Sequence, residues 1–297
     1  MSDNAALSIR NLLKSYGPVQ ALRGLDLSVE RGEIFGFLGP NGAGKTTTIR
    51  CALDLIRPDS GQVRLLGIDP QVDPVAAKTL VGYLPGELQL DDNLTAGRQL
   101  RFLSELRGIQ ADSDYTKDLA RQLDLDLDRP IKNLSKGNKQ KVGVIQALMG
   151  RPELLLLDEP TSGLDPLMQT KVIGLIRDAQ AAGTTVFFSS HVMSEVEAVA
   201  ERVGIIRQGQ LVEVAATDAL AGRSLRRATI HFKRPVDWSP LTALPNVVQV
   251  SHTGSTGLTV QVDGDMESFV RALGAFPIED LETARPSLEE LFLEYYT

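Results

Sequence analysis

The chain has 297 residues, 42% of them apolar, with 31 basic against 38 acidic side chains and a formal net charge of −7. At about 150 residues per domain this length allows roughly two domains, each able to bury its own core. The acidic balance argues against a chain that coats nucleic-acid phosphate, and the single cysteine, Cys51, excludes a disulfide framework or a cysteine-rich zinc site.

Met1-Ser2-Asp3-Asn4 lacks the basic start and apolar run of a secretory signal. No stretch nears the roughly 18 uninterrupted apolar residues that span a bilayer. The expectation is an intracellular chain that would need another chain to hold it at a membrane.

Up to about residue 215 two kinds of segment alternate. Ile34–Leu38 is a short apolar run that reads as a strand buried on both faces. Directly after it, Gly39-Pro40-Asn41-Gly42-Ala43-Gly44-Lys45-Thr46 matches the phosphate-loop pattern in full, and Thr47, Thr48, Ile49 and Arg50 open a helix. The glycines let successive N–H groups converge on phosphate, and the helix N-terminus adds about half a positive charge. Lys45 has the reach for the β- and γ-phosphates, and the Thr46 hydroxyl suits Mg²⁺. Nucleotide binding follows from this strand, loop and helix together.

Leu80–Leu84 reads as a further strand. Thr95–Leu106 reads as a helix with Leu100, Leu103 and Leu106 on one stripe. Leu154–Leu157 is an apolar strand ending in Asp158 and Glu159. Ligands of open α/β sheets bind at the carboxyl ends of strands, so both acids should face the nucleotide. Adjacent strand residues point to opposite sides, so one of the two positions suits Mg²⁺ while its neighbour can reach the attacking water. Thr185–Ser190 is a third buried strand, and an imidazole at its end, His191, could hydrogen-bond a γ-phosphate or the water beside it. Met193–Val203 carries a helical stripe of Met193, Val196, Val199, Ala200 and Val203.

The texture then changes. Arg223, Arg226 and Arg227 surround a glycine, and Thr229–Lys233 and Leu258–Val262 alternate with period two, as in half-exposed sheet. The order reads strand 229–233, helix 238–244, strand 247–252, strand 257–263, helix 265–274 and strand 277–283. That is the βαββαβ order of the split-βαβ sandwich. Ser287 and Glu290 have capping-box spacing, followed by Leu288, Leu291, Phe292 and Tyr295 on one helical face. His231 and His252 read as ordinary sheet residues.

With these motifs in view, the chain resembles the ATPase subunit of an ATP-binding cassette transporter over nearly its whole length. Leu134-Ser135-Lys136-Gly137-Asn138 is similar to that family's LSGGQ signature: Ser135 and Gly137 match, while Lys136 and Asn138 depart from it. A Ser hydroxyl and amides at a helix start also make an anion site on physical grounds. Lys132, Lys136, Lys139 and Lys141 read equally well as a solvated basic face. Ser162-Gly163-Leu164-Asp165 resembles the D-loop, which in the family touches an opposing subunit, and Tyr16 matches the aromatic that stacks on adenine. One departure stands out: Gly86 occupies the place of the family's metal-sensing glutamine, and Glu87 is the neighbouring carboxylate candidate. The tail, Pro286–Tyr295, resembles the close of exporter-type cassettes, including drug-resistance subunits.

The resemblance implies an α/β P-loop NTPase cassette over residues 1–221, a RecA-like core with a helical subdomain at about 90–150. A small α+β domain, ferredoxin-like in order, follows over 222–297. It implies an ATP- and Mg²⁺-dependent ATPase working as a nucleotide-sandwich dimer. Lys45, Glu159 and His191 would be catalytic, Thr46 and Asp158 would hold the metal, and Tyr16, the 39–47 loop, Ser135, Gly137 and Asp165 would bind nucleotide. Its partners would be a second copy and a separate transmembrane permease, with no nucleic acid, at the cytoplasmic face of the membrane, exporting drugs, lipids or similar compounds. The alternative is a soluble cassette ATPase acting on ribosomes or DNA.

Overall fold

The computed structural model describes residues 4–108, 113–217 and 226–284. The chain divides into two compact units, Met1–Thr217 and Asp218–Thr297. The 221/222 boundary expected from sequence, Arg223 and the 286–295 segment lie outside the described residues.

The first unit holds two sheets. β1 (Ala5–Tyr16), β2 (Val19–Glu30) and β4 (Ser60–Leu65) form an antiparallel sheet in the order β2-β1-β4. Leu7, Ile9, Leu25, Leu27 and Val29 point to its buried side, with Ser8, Arg10, Asp26 and Ser28 between them facing out, which is the period of a half-buried strand.

The second sheet has the order β5-β6-β7-β3-β8-β9. β3 (Ile34–Leu38), β5 (Val81–Leu84), β6 (Leu154–Asp158), β7 (Thr185–Ser190) and β8 (Arg202–Arg207) are parallel, and β9 (Gln210–Ala216) closes the edge antiparallel to β8. Every residue of β3, β6 and β7 is buried, as expected of strands covered on both faces. Phe187 packs between Phe35 and Phe37 at centroid distances of 5.9 and 5.2 Å, pairs worth about 0.5–1.5 kcal/mol each beyond area burial.

Four helices of this unit begin at a capping side chain. Asp73 caps α2 (Pro74–Thr79), Thr95 caps α3 (Ala96–Leu106), Ser135 caps α5 (Lys136–Leu148) and Asp165 caps α6 (Pro166–Ala181), each accepting a backbone N–H of the first turn. α1 (Lys45–Ala52), α4 (Ser113–Gln122) and α7 (Met193–Val199) complete the helices of this unit among the described residues. None of the described helices is long and apolar enough to cross a membrane.

Two helical expectations change. α3 buries Ala96, Gln99, Leu100 and Ser104, whereas Leu106 is 71% exposed. Each three-residue step falls 60° short of a full turn, so Leu106 stands 120° around the axis from Leu100. The Met193–Val203 helix stops at Val199, because Arg202 and Val203 already pair with Phe35 and Gly36 of β3. Val203 is buried as a strand residue instead.

The described part of the second unit is a four-stranded antiparallel sheet in the order β11-β12-β10-β13, from β10 (Arg226–Phe232), β11 (Val247–Thr253), β12 (Gly257–Val262) and β13 (Ile278–Ala284). α8 (Ser239–Thr242) and α9 (Glu267–Leu273) supply Leu241, Phe269 and Leu273 to its core, against Ala228, Ile230, Phe232, Leu258, Val260 and Val262. Alternating burial holds in the central strands β10 and β12. The edge strands β11 and β13 bury no residue fully.

Candidate functional site

The carboxyl ends of β3, β6 and β7 lie side by side and deliver three loops to one place. The loop after β3 is the Gly39–Thr46 run. Gly44 has φ +115°, and a Cβ there would lie 2.8 Å from Ala21 O, so the turn into α1 admits only glycine. Lys45, 5% exposed, donates from Nζ to Gly39 O at 2.7 Å and Pro40 O at 3.2 Å, and lies 3.4 Å from Glu159 Oε1. Burial lowers its pKa, while Glu159 and then Asp158 oppose that shift.

At the end of β6, Asp158 is 1% exposed and its Oδ1 accepts the Ser189 hydroxyl at 2.6 Å. Its Oδ2 is buried with no hydrogen-bond partner. Glu159 leaves the strand with φ +51°, in the left-handed region, and its N–H is shared between Ser189 O and Oγ at 3.2 and 3.1 Å. β6 ends at Asp158, so Glu159 lies past the strand in a left-handed turn and does not continue the strand alternation expected from sequence. Glu159 Oε2 stands 3.0 Å from His191 Nδ1, just past β7.

Thr46, Arg50, Gly86, Glu87, Asp158, Glu159 and Ser162 line a cleft of about 320 Å³. Two of these, Arg50 and Ser162, were not singled out from the sequence. Arg50 lies one helical turn beyond Thr46, and this i, i+4 spacing was a usable signal. Outside that lining, burial and then Asp158 raise the Tyr83 pKa, with Arg50 opposing the shift. Ser162 belongs to the D-loop-like run, where the sequence reading had selected Asp165. Outside the cleft, Ser189 and Gln140 were also missed. Gln140 donates from Nε2 to the carbonyls of Glu159 and Pro160, both at 3.1 Å, anchoring the turn to α5.

Other sequence candidates lie outside that lining. Ser135 is the exposed N-cap of α5 and accepts Asn138 N–H at 3.2 Å. Gly137 packs so closely on the loop after Glu159 that a Cβ would meet Gly163 O at 3.0 Å. Asp165 accepts Met168 N–H at 3.0 Å as a cap. Tyr16, 48% exposed at the end of β1, lies with its ring centroid 5.5 Å from Lys14 Nζ.

Among the described residues no group of three or more His, Cys, Asp and Glu side chains is arranged to hold a metal by itself. A hard cation that keeps waters and phosphate oxygens needs only one or two protein oxygens. The bare Asp158 Oδ2 and the Thr46 hydroxyl on the same cleft fit that donor set.

The family model described as ABC transporter matches residues 22–162. An uncharacterized ABC transporter ATP-binding protein of Nostoc is 38% identical over 93% of this chain and 83% of its own length. The linearmycin resistance ATP-binding protein LnrL of Bacillus subtilis is 32% identical over 97% of each chain. Among solved structures, a dimeric ATP-binding cassette in a post-hydrolysis state, bound to ADP and Pi, superposes with a TM-score of 0.65. It is 23% identical and covers 71% of this chain and 98% of its own.

Proposed function

Because this chain belongs to the ABC transporter ATP-binding subunits, and is therefore an ATPase with the cassette fold, we propose that it powers export through a separate membrane permease as a nucleotide-sandwich dimer. The observation that carries the reading is the convergence on the phosphate loop of Lys45, Glu159 and His191, joined by contacts of 3.4 and 3.0 Å.

In this reading the loop amides and Lys45 neutralise phosphate charge, and Glu159 polarises the attacking water. His191 orients Glu159 and steadies the γ-phosphate. Asp158 and Thr46 hold Mg²⁺, which when bound screens the phosphate oxygens. Glu87 is the carboxylate in reach of the cleft where Gly86 offers no side chain. Tyr16 stacks on adenine.

Dimerisation is supported by what the cleft omits. Ser135 and Gly137 carry an anion-binding helix start, yet neither lines the chain's own cleft. A second copy would present them, with the Asp165 loop at the interface. The solved dimer and the drug-resistance name of the Bacillus relative support this assembly and an exported, drug-like cargo.

The test is ATPase activity with and without co-expressed integral membrane proteins encoded beside this chain. Stimulation and co-purification are expected, and Lys45→Ala should lower ATP affinity by roughly 10- to 100-fold, the value of a lost charge-assisted bond. Stimulation by ribosomes or DNA instead would refute the transport reading.

A further inference from the structure

A carboxylate outside the proposed nucleotide contacts ties the loop of His191 to the loop of Glu159. Glu195, in the first turn of α7, accepts the Thr161 hydroxyl at Oε1 and the Ser190 hydroxyl at Oε2, each at 2.5 Å. That is the range of hydroxyls donating to a carboxylate, about twice the strength of neutral bonds. Thr161 lies two residues past Glu159, and Ser190 immediately precedes His191. Ser190 Oγ also accepts Val192 N–H at 2.9 Å, so the chain is held on both sides of His191. Thr161 and Ser190 are 2% and 1% exposed, so removing the carboxylate would strand the buried Thr161 hydroxyl and leave Ser190 Oγ only its local contacts to Val192.

The position of this bridge gives it its importance. The regular pairing of β6 with β7 ends at Asp158 and Ser189, and Glu159 N–H to Ser189 O follows. Farther on, the side-chain ties between the two loops are the His191–Glu159 contact and the Glu195 bridge. Glu159, Thr161, Ser190, His191 and Glu195 line one pocket of about 230 Å³.

We propose that Glu195 is a positioning residue for hydrolysis, holding His191 Nδ1 at the distance at which it orients Glu159. The proposal rests on the functional reading above. Glu195 acts through His191, and a misplacement of about 1 Å in such a group can cost roughly 100-fold in rate.

The experiment is a double-mutant cycle on the full chain. Glu195→Ala should lower kcat roughly 10- to 100-fold, with the KM for ATP changed less than about twofold. Glu195→Gln, whose amide oxygen still accepts a hydroxyl, should recover part of the loss. In a His191→Ala background, Glu195→Ala should add less than about a twofold loss, because its route is already gone. Thr161→Val should give the same kcat-only loss, and it serves as the probe if Glu195→Ala does not fold. Full additivity with His191→Ala, or wild-type kcat in both Glu195→Ala and Thr161→Val, would overturn the proposal while leaving the ATPase reading intact. A wild-type chain without ATPase activity would overturn both.

Discussion

Gly86 stands so close to Asp158 that a Cβ in its place would fall 2.9 Å from Asp158 Oδ2 and 3.2 Å from Cγ. Glycine at this position keeps the unpartnered carboxylate oxygen clear. Gly86→Ala should push the Asp158 carboxylate aside, and the Mg²⁺ concentration for half-maximal ATPase activity should rise about 10-fold, equivalent to ~1.4 kcal/mol. A Mg²⁺ titration of hydrolysis checks this. An unchanged midpoint would remove Asp158 from the metal site.

Glu159 is the proposed water-polarising group. Glu159→Gln keeps the side chain's length and shape but loses basicity, so kcat should fall roughly 10²- to 10⁴-fold while ATP binding persists. Trapped dimer should then accumulate with ATP, as read by size-exclusion chromatography. Turnover at the wild-type rate would assign the base elsewhere.

Burial holds the Lys45 pKa below its usual 10.5. Only the charged form attracts phosphate. ATP affinity should therefore decline as pH rises toward the depressed value, before the range where an exposed lysine loses its proton. Binding measured from pH 7 to 10 tests the sign, and Lys45→Ala should flatten the alkaline limb.

Cys51 is 1% exposed on α1, and burial raises its thiol pKa from 9.0 to about 11. The unfolded chain loses this proton first, so between about pH 9 and 11 the folded state holds more protons and stability falls with rising pH. Below that window the contribution is constant. Urea unfolding at pH 8 and pH 10 should show a smaller loss for Cys51→Ala than for the wild type, and native Cys51 should resist alkylation at pH 8.

The legible parts of the molecule were those where one period dominates. Ile34–Leu38, Leu154–Asp158 and Thr185–Ser190 are unbroken apolar runs, and their all-buried placement follows from that. The sheet of β1, β2 and β4 was not read from sequence, although Leu25, Leu27 and Val29 alternate plainly in β2. In the site, the residues named were those with a charge or a motif to mark them. Ser189 and Glu195 carry no local signature: Ser189 meets Asp158 across 31 positions, and Glu195 meets Thr161 across 34. The left-handed backbone of Glu159 was equally invisible, because a glutamate gives no hint that it will adopt φ +51°.

Lys45 already holds Gly39 O and Pro40 O and sits beside Glu159 Oε1, so under the proposed function nucleotide entry at this loop would be an exchange of oxygens. The free energy of binding would then be the difference between phosphate and this resident set, which would temper affinity. The same exchange would draw the ammonium from Glu159 and unmask the carboxylate as the phosphate arrives. In an idle subunit, the ammonium would keep the base shielded.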